Sequence, residues 1–504
     1  MSDSAPAPAG PFDVVVVGGG INGVGIARDA AGRGLRVALC EQHDLGEHTS
    51  SASSKLIHGG LRYLELGHFG LVRKSLLERS ILLRSAPHLT RSLRFVLPHD
   101  ARLRPRWLVR CGLWLYDRLG ARDSLPTSAE VDLGRDRAGA ALRGEYRYGF
   151  QYYDGWTDDA RLVVLNALDA AERGATILPR TRAIDFKVVD GLWHVGTVTL
   201  HGRAATLHAR VLVNAAGPWA ASVQDAVTRQ RSRHGLRLVK GSHIVVPRVI
   251  GDDDAYLLPV PDRRVVFALP FEGCYTLIGT TEVDYRGDPA AVAIDPQEIE
   301  YLCAAYNRYF RRPIEPAQVV HSFAGVRPLV DGDTGDPRTA SRDYALVSAR
   351  SPAPFIAIFG GKLTTYRLLA EQVTDRLCAL LGRRAPRWTA RAVLPGGECG
   401  ELGNYITQLR RAFPWLPPEL AQRYARQFGA RAKRLLRGAN HLDDLGTQVL
   451  PGLHVAEIDY LRRCEWAQTA GDILWRRTKL GLHLPANATA TLQRWLDAEV
   501  REYG

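Results

Sequence analysis

The sequence predicts a mixed α/β chain with a parallel-sheet core, an antiparallel-sheet region and an all-α C-terminal domain. Three observations predict it. Near the N-terminus a β-branched run passes through a glycine cluster into a helix of small residues. Strand-like runs separated by turns fill the middle of the chain, among them SHIVVPRV, RRVVFALP and CYTLIGTTEV. Beyond the glycine-rich LPGGECGEL, residues 394–402, the pattern becomes helical. At 504 residues the chain is long for one domain, and 46% hydrophobic with 24% charged residues is an ordinary globular composition.

The first element in order is FDVVVV, residues 12–17, a short buried-strand pattern stopped by glycine. The preceding residues 1–11 read as a disordered tail, since they lack the basic and apolar regions of a signal peptide. After the strand, Gly18-Gly19-Gly20-Ile21-Asn22-Gly23 fits G-x-G-x-x-G, and VGIARDAAGRG continues as a helix small enough to pack closely on a sheet. A second strand, LRVALC, ends at Glu41. The glycines permit a tight turn and close approach to a pyrophosphate, the helix N-terminus supplies free N–H donors, and the acid accepts from a ribose hydroxyl. This is a Rossmann-like dinucleotide unit, and its acidic residue selects an unphosphorylated ribose.

Two later segments choose between FAD and NAD. VLVNAAGPW, residues 211–219, is an apolar strand that runs into Ala216-Gly217. In FIAIFGGKLTTYRLLAEQV, residues 355–373, a strand turns through Gly360-Gly361 and Lys362 into a helix starting near Leu363 and Thr364. That helix N-terminus would face a flavin edge where negative charge develops on reduction. A cofactor clasped by segments some 340 residues apart is long and buried, which suits FAD.

The motifs GGGINGVGIARDAAGRG, SSASSKLIHGGLRYLE (50–65), KGSHIVVP, GVRPL, TASRDYAL and FGGKLTTYR together resemble the aerobic, FAD-dependent glycerol-3-phosphate dehydrogenases. That family has a glutathione-reductase-like and amino-acid-oxidase-like FAD-binding core. The resemblance runs from about residue 12 to the C-terminus, and the 50–65 passage and FGGKLTTYR are its most specific parts. It implies that Thr49, Ser50, Ser53 and Ser54 contact FAD, with Ala183 in the same cofactor set. It places Lys55, Arg62 and Tyr63 beside substrate at the flavin's reactive face. Oxidising a secondary alcohol needs a base for the hydroxyl proton, and His58 and His243 are the candidates, with His58 favoured. Arg327 and Arg342 are the phosphate candidates, because a dianion calls for charged, forked donors. Lys362 is the cation expected nearest the flavin. Three of only seven lysines, Lys55, Lys240 and Lys362, fall in these motifs, which hints at a need for an ammonium there.

The domain division follows. Residues 12–387 form the FAD-dependent oxidoreductase domain, with cofactor segments (12–80, 160–235, 320–385) interleaved with an antiparallel substrate region (85–155, 236–320). Residues 388–504 form the helical domain, in which PPELAQRYARQFG places Leu420, Tyr424 and Phe428 on one face and ends at Gly429. Covering the core and dimerisation are both open roles for it.

Charge and cysteine usage address location. Seven scattered cysteines without a C-x-x-C pair point to a reducing compartment and to no metal centre. Of the net +13, residues 71–122 carry +9, twelve basic residues against Glu78, Asp100 and Asp117. Within them ARLRPRWLVRCGLWLYDRLGAR, 101–122, sets Trp107, Leu108, Cys111, Leu115 and Leu119 at helical spacings amid arginines. That is the make-up of a helix lying in a bilayer interface. The expected partners are sn-glycerol 3-phosphate, ubiquinone or menaquinone, and an anionic membrane surface at the cytoplasmic face of the inner membrane. A homodimer is expected and nucleic acid is not. Oxygen as electron acceptor, or an RNA-modifying flavoprotein prompted by the sequence pI of about 9.5, are the alternatives.

Overall fold

The computed structural model describes residues 10–65, 67–100, 105–120, 125–230, 236–251, 254–262, 264–330 and 343–503. Among these, the β-branched run Phe12–Val17 is a wholly buried central strand. It pairs in parallel with Val37–Cys40 on one side and Ala204–Asn214 on the other. Thr176–Leu178 extends the sheet in parallel beyond the second strand, and Phe355–Phe359 extends it beyond Ala204–Asn214. The pairs Thr181–Val189 with Leu192–Thr199, and Ala345–Ala349 with Phe355–Phe359, add antiparallel margins. The sheet has eight strands among the described residues.

The helix Ile21–Gly32 lies against this sheet between Asp159–Glu172 and Tyr366–Leu380. Its small residues are what let the helices meet. A Cβ on Gly25 would stand 2.8 Å from the Tyr366 ring, so only glycine fits. Val24, Ile26, Ala27 and Ala30 are fully buried in the same core.

A second sheet, ten strands among the described residues, carries the middle of the chain. Leu236–Pro247 is its spine, paired antiparallel with Tyr275–Gly279 and His321–Val330. Three features differ from the sequence reading. His321–Val330 belongs to this sheet and not to the cofactor segments, and so does the two-residue strand Leu56–Ile57 inside the serine-rich passage. One pairing, Asp254–Pro259 with Thr90–Pro98, is parallel. The 50–65 passage thus contributes a strand to the second sheet, while Ser50 accepts from Ile21 N at the glycine turn of the first, and so it links the two regions.

The C-terminal domain has its own core of Tyr405, Leu409, Leu420, Tyr424, Phe428, Ile458, Leu461 and Leu492. The helix Pro418–Phe428 buries the expected face and stops at Gly429, which adopts a left-handed φ of 54°. The domain is not purely helical: Gln448–Leu450 and Leu453–His454 form a hairpin. A π-helical turn, Asp472–Arg477, faces the cofactor domain.

Candidate active site

A cavity of about 850 Å³ runs between the two sheets and is lined from both. Its inner end is the glycine turn. Gly18 has a φ of 109°, and a Cβ there would lie 2.5 Å from the Ala215 carbonyl oxygen. A Cβ on Gly23 would sit 1.9 Å from the Gly18 carbonyl oxygen, so the turn closes directly onto the helix. Gly20 caps that helix, and the N–H of Ile21 donates to the Ser50 hydroxyl at 3.0 Å.

Glu41 stands at the end of its strand as the spacing requires. Its Oε2 accepts from Gly19 N at 2.6 Å and its Oε1 from His43 N at 2.8 Å. Burial pushes its carboxyl up from the usual range, against the pull of these two N–H groups. Asn22 ties two distant cofactor segments together, its amide donating to the Gly360 carbonyl at 3.2 Å. The Asn22 Oδ1 is buried with no partner among the described residues. A glycine cradle that no Cβ could enter, a ribose-height carboxylate and an unsatisfied amide oxygen together fit FAD. Ala183, Ala216 and Gly217 line the same cavity from the strands opposite, with Arg182 and Trp219 beside them. Gly361, with a φ of 106°, leads Lys362, Leu363 and Thr364 into it at the head of the helix Tyr366–Leu380.

The serine-rich passage divides between cavity and scaffold. Thr49, Ser50, Ser53 and Ser54 line the cavity. Thr49 also donates to the Val326 carbonyl at 2.7 Å, and Ser53 to Asp159 Oδ2 at 2.7 Å. His58 is half-buried and lines the cavity; its backbone N–H donates to the Thr364 hydroxyl at 3.3 Å. Tyr63 lies opposite, with the Lys362 ammonium 3.8 Å from its ring centroid. Arg62 opens the short helix Arg62–Glu65. Arg327 reaches in from the second sheet, its guanidinium donating to Thr280 Oγ1 at 3.2 Å and lying 3.8 Å from Glu282.

Two expected site residues, Lys55 and His243, stand away from the cavity. Lys55 is 2% exposed, with a left-handed φ of 60°, and its ammonium is spent on Asp159 at 2.8 Å and the Ser51 carbonyl at 3.1 Å. It supports the serine loop from behind and does not face the cavity. His243 is 1% exposed, stacked on Phe323, with Nε2 at 2.9 Å from the Ser54 hydroxyl. Burial, helped by Arg327 and Lys55, holds it neutral well below the usual histidine range. Arg342 lies outside the described residues. Lys240 also leaves the site, buried against Glu298 at 2.7 Å and Asp295 at 3.0 Å.

The sequence reading missed Asp159, Thr280 and Glu282. Asp159 follows Asp158 at the start of an apolar helix, where two acids signal only a cap. Thr280 and Glu282 follow an uncharged strand, and no local pattern separates them from an ordinary turn.

Glycine turn, ribose carboxylate, and a histidine with two cations lining one cavity define a flavin-dependent oxidoreductase. The pattern of the FAD dependent oxidoreductase family matches residues 13–367, and that of the C-terminal domain of alpha-glycerophosphate oxidase matches residues 387–504. The chain belongs to the FAD-dependent oxidoreductase family and carries the C-terminal domain of its glycerophosphate-oxidising members. It is 50% identical to a glycerol-3-phosphate dehydrogenase of Pseudomonas aeruginosa, over 97% of this chain and 95% of the relative. It is 48% identical to a D-erythritol 1-phosphate dehydrogenase of Brucella abortus, over 96% of this chain and 97% of the relative. The structure of a Bacillus halodurans glycerol-3-phosphate dehydrogenase complexed with FAD superposes with a TM-score of 0.78 at 28% identity, covering 97% of this chain and 91% of that one. The likeness seen in six short motifs thus extends over nearly the whole chain, and FAD is the cofactor.

Proposed function

We propose that the protein oxidises sn-glycerol 3-phosphate to dihydroxyacetone phosphate and passes the electrons to a membrane quinone. The observation that carries the chemistry is that His58, Lys362 and Arg327 line one cavity together with the glycine turn and Glu41. Arg327, oriented by Thr280 and Glu282, supplies the forked cation for the phosphate. His58 takes the proton of the secondary hydroxyl, and Lys362 stabilises the negative charge that develops beside it. Bound FAD supplies the hydride acceptor. Lys55 and His243 act from behind, as supports of the serine loop.

The relative that acts on D-erythritol 1-phosphate makes a second polyol phosphate the natural competitor. Anaerobic mixing tests both. Rapid bleaching of the flavin by glycerol 3-phosphate, with slower bleaching by D-erythritol 1-phosphate and none by amino acids, is the expected result. Bleaching by an amino acid would overturn the reading.

The quinone and the membrane rest on a separate observation. The helix Arg106–Leu119 exposes Trp107, Leu108 and Trp114, and the cavity reaches its underside at Leu108, Cys111 and Leu115. An apolar mouth next to an exposed Trp/Leu face suits an acceptor that lives in lipid. No helix of the described residues is long and apolar enough to cross a membrane, so the attachment proposed is peripheral, at the cytoplasmic face of the inner membrane. Quinone reduction by enzyme bound to anionic vesicles, outpacing hydrogen peroxide formation in air, would separate this reading from the oxidase alternative. The protein is proposed to be a homodimer, and light scattering in detergent measures its mass.

A further inference from the structure

We propose that the C-terminal domain is a lock on the cofactor, with Arg477 as a positioning residue that acts through Asp44 on Glu41. Asp44 follows Glu41 by three residues on the turn that leaves the ribose-binding strand. It is 1% exposed and is not among the residues lining the cavity. Its carboxylate receives Arg477 Nη1 at 2.5 Å, Arg477 Nη2 at 2.8 Å and Arg476 Nε at 2.6 Å. Those arginines lie more than 430 positions later, on the π-helical turn Asp472–Arg477, and the Arg477 side chain is fully buried. Turns of this kind are rare and cluster at functional sites.

The grip does not stop at Asp44. The Glu41–Asp44 turn lies on the turn at 178–181: Glu41 N donates to Leu178 O at 3.0 Å, Thr181 N to Glu41 O at 2.6 Å and Arg180 N to His43 O at 2.8 Å. Arg180 holds a left-handed φ of 52°, and its guanidinium donates to Asp472 at 2.6 Å. Both turns that frame the adenosine end are therefore clamped by the same six-residue segment. Two residues beyond it, Lys479 donates to Asp158 at 3.1 Å, and the next residue, Asp159, holds Ser53 and Lys55 of the serine loop. One stretch of the C-terminal domain thus reaches the supports of both cofactor loops.

Simple adhesion between domains would need none of this placement. A pair that only glues surfaces has no reason to stand three residues from the ribose acceptor, desolvated and bidentate. Such a charge is costly unless it is fully paired, so the turn has one low-energy position while the arginines are present. Fixing that position in advance lowers the ordering cost of binding FAD.

The test compares holoenzymes carrying Arg477→Met, Asp44→Asn and Arg423→Met. Arg423 makes a comparable ion pair with Glu457, at 2.6 and 2.7 Å, but wholly inside the C-terminal domain. Release of FAD after dilution is followed by its fluorescence, and melting is recorded with and without excess FAD. The first two variants should bind FAD on the order of tenfold to a hundredfold more weakly, the range over which supporting residues tune metal sites. Their melting temperatures should recover in part with excess FAD. Arg423→Met should melt lower yet hold FAD as the parent does. If Arg477→Met does not fold, Asp44→Asn, which keeps the side-chain shape, carries the same expectation. Lower melting with unchanged FAD release in Asp44→Asn would overturn the lock and leave an interdomain contact only.

Discussion

His58 and His243 show how burial separates two residues that sequence weighs almost equally. Both lie in family motifs, but only His58 faces the cavity, whereas His243 is enclosed and held neutral far into the acid range. His58→Ala should slow substrate-driven flavin reduction roughly 10²–10⁴-fold and remove the acid limb of the rate profile. If His243 were the base, that limb would lie far below the ordinary histidine range near 6.5 and would survive in His58→Ala, so pre-steady-state rates against pH decide. Arg327→Ala should weaken glycerol 3-phosphate binding by about 2–4 kcal/mol, because a dianion loses a charge-assisted partner, and should leave oxidation of unphosphorylated glycerol as poor as before. Equal loss on both substrates would assign Arg327 a structural role. The lysines teach the limit of residue counting. Their rarity does mark places where an ammonium is wanted, yet Lys55 answers Asp159 and Lys240 answers Glu298, partners 104 and 58 positions away. Nothing local in the sequence announces such pairs.

At the scale of elements, the cofactor unit was legible because its strand, turn, helix and acid are contiguous, and each obeys a backbone or packing constraint. The second sheet was legible as strands but not as pairings, since register across His321–Val330 and Leu56–Ile57 is decided by neighbours distant in sequence. The helix Arg106–Leu119 lies between these cases. Its inward face is Leu113 and Tyr116, and the Tyr116 hydroxyl donates to Asp154 at 2.6 Å and accepts from Gly59 N at 2.8 Å, beside His58. Its outward face is Trp107 and Trp114, while Leu108, Cys111 and Leu115 line the cavity, the first two exposed and Leu115 half-buried. The basic surplus is smaller at the surface than in the count, for Arg79 and Arg94 are paired inside and Arg106 with Glu130. Insertion of the apolar face therefore dominates, at about 1.5–3 kcal/mol for each side chain fully buried. Replacing Trp107 and Trp114 with serine should move the enzyme from vesicles to the supernatant by more than about tenfold. Dye-linked activity should persist, because neither tryptophan lines the cavity, and quinone reduction should fall with the loss of lipid contact. Normal vesicle binding by this variant in a flotation assay would place the membrane contact elsewhere.

Across the whole molecule, the boundary between the two domains is closed by groups that burial keeps in one charge state. Leu394 N donates to Ser85 O at 2.8 Å and Ala430 N to Gly396 O at 3.0 Å. Among these strands of chain sits His88, 4% exposed, with neither ring nitrogen partnered among the described residues. Burial, reinforced by the Arg161 guanidinium, lowers it to about 3, and burial likewise lowers His321 to about 4. In the unfolded chain both rings take up protons below about pH 6.5. Between that pH and the lowered values the unfolded state binds more protons than the folded one, so stability falls as pH falls. The contribution is complete above pH 6.5 and drains away toward pH 3. Buried carboxyls pushed upward, such as those of Glu78 and Asp154, act in the opposite direction, so the parent profile alone does not isolate the histidine. The difference between parent and His88→Leu does. Leucine should be near neutral at pH 7.5, because neither His88 ring nitrogen is partnered among the described residues. At pH 5 it should be more stable than the parent by about 2 kcal/mol, the work of keeping one ring neutral 1.5 units below its free value. Denaturant unfolding of FAD-saturated protein at the two pH values measures this directly. A parent-minus-variant difference that stays constant from pH 7.5 to 5 would mean that His88 is protonated in the folded state.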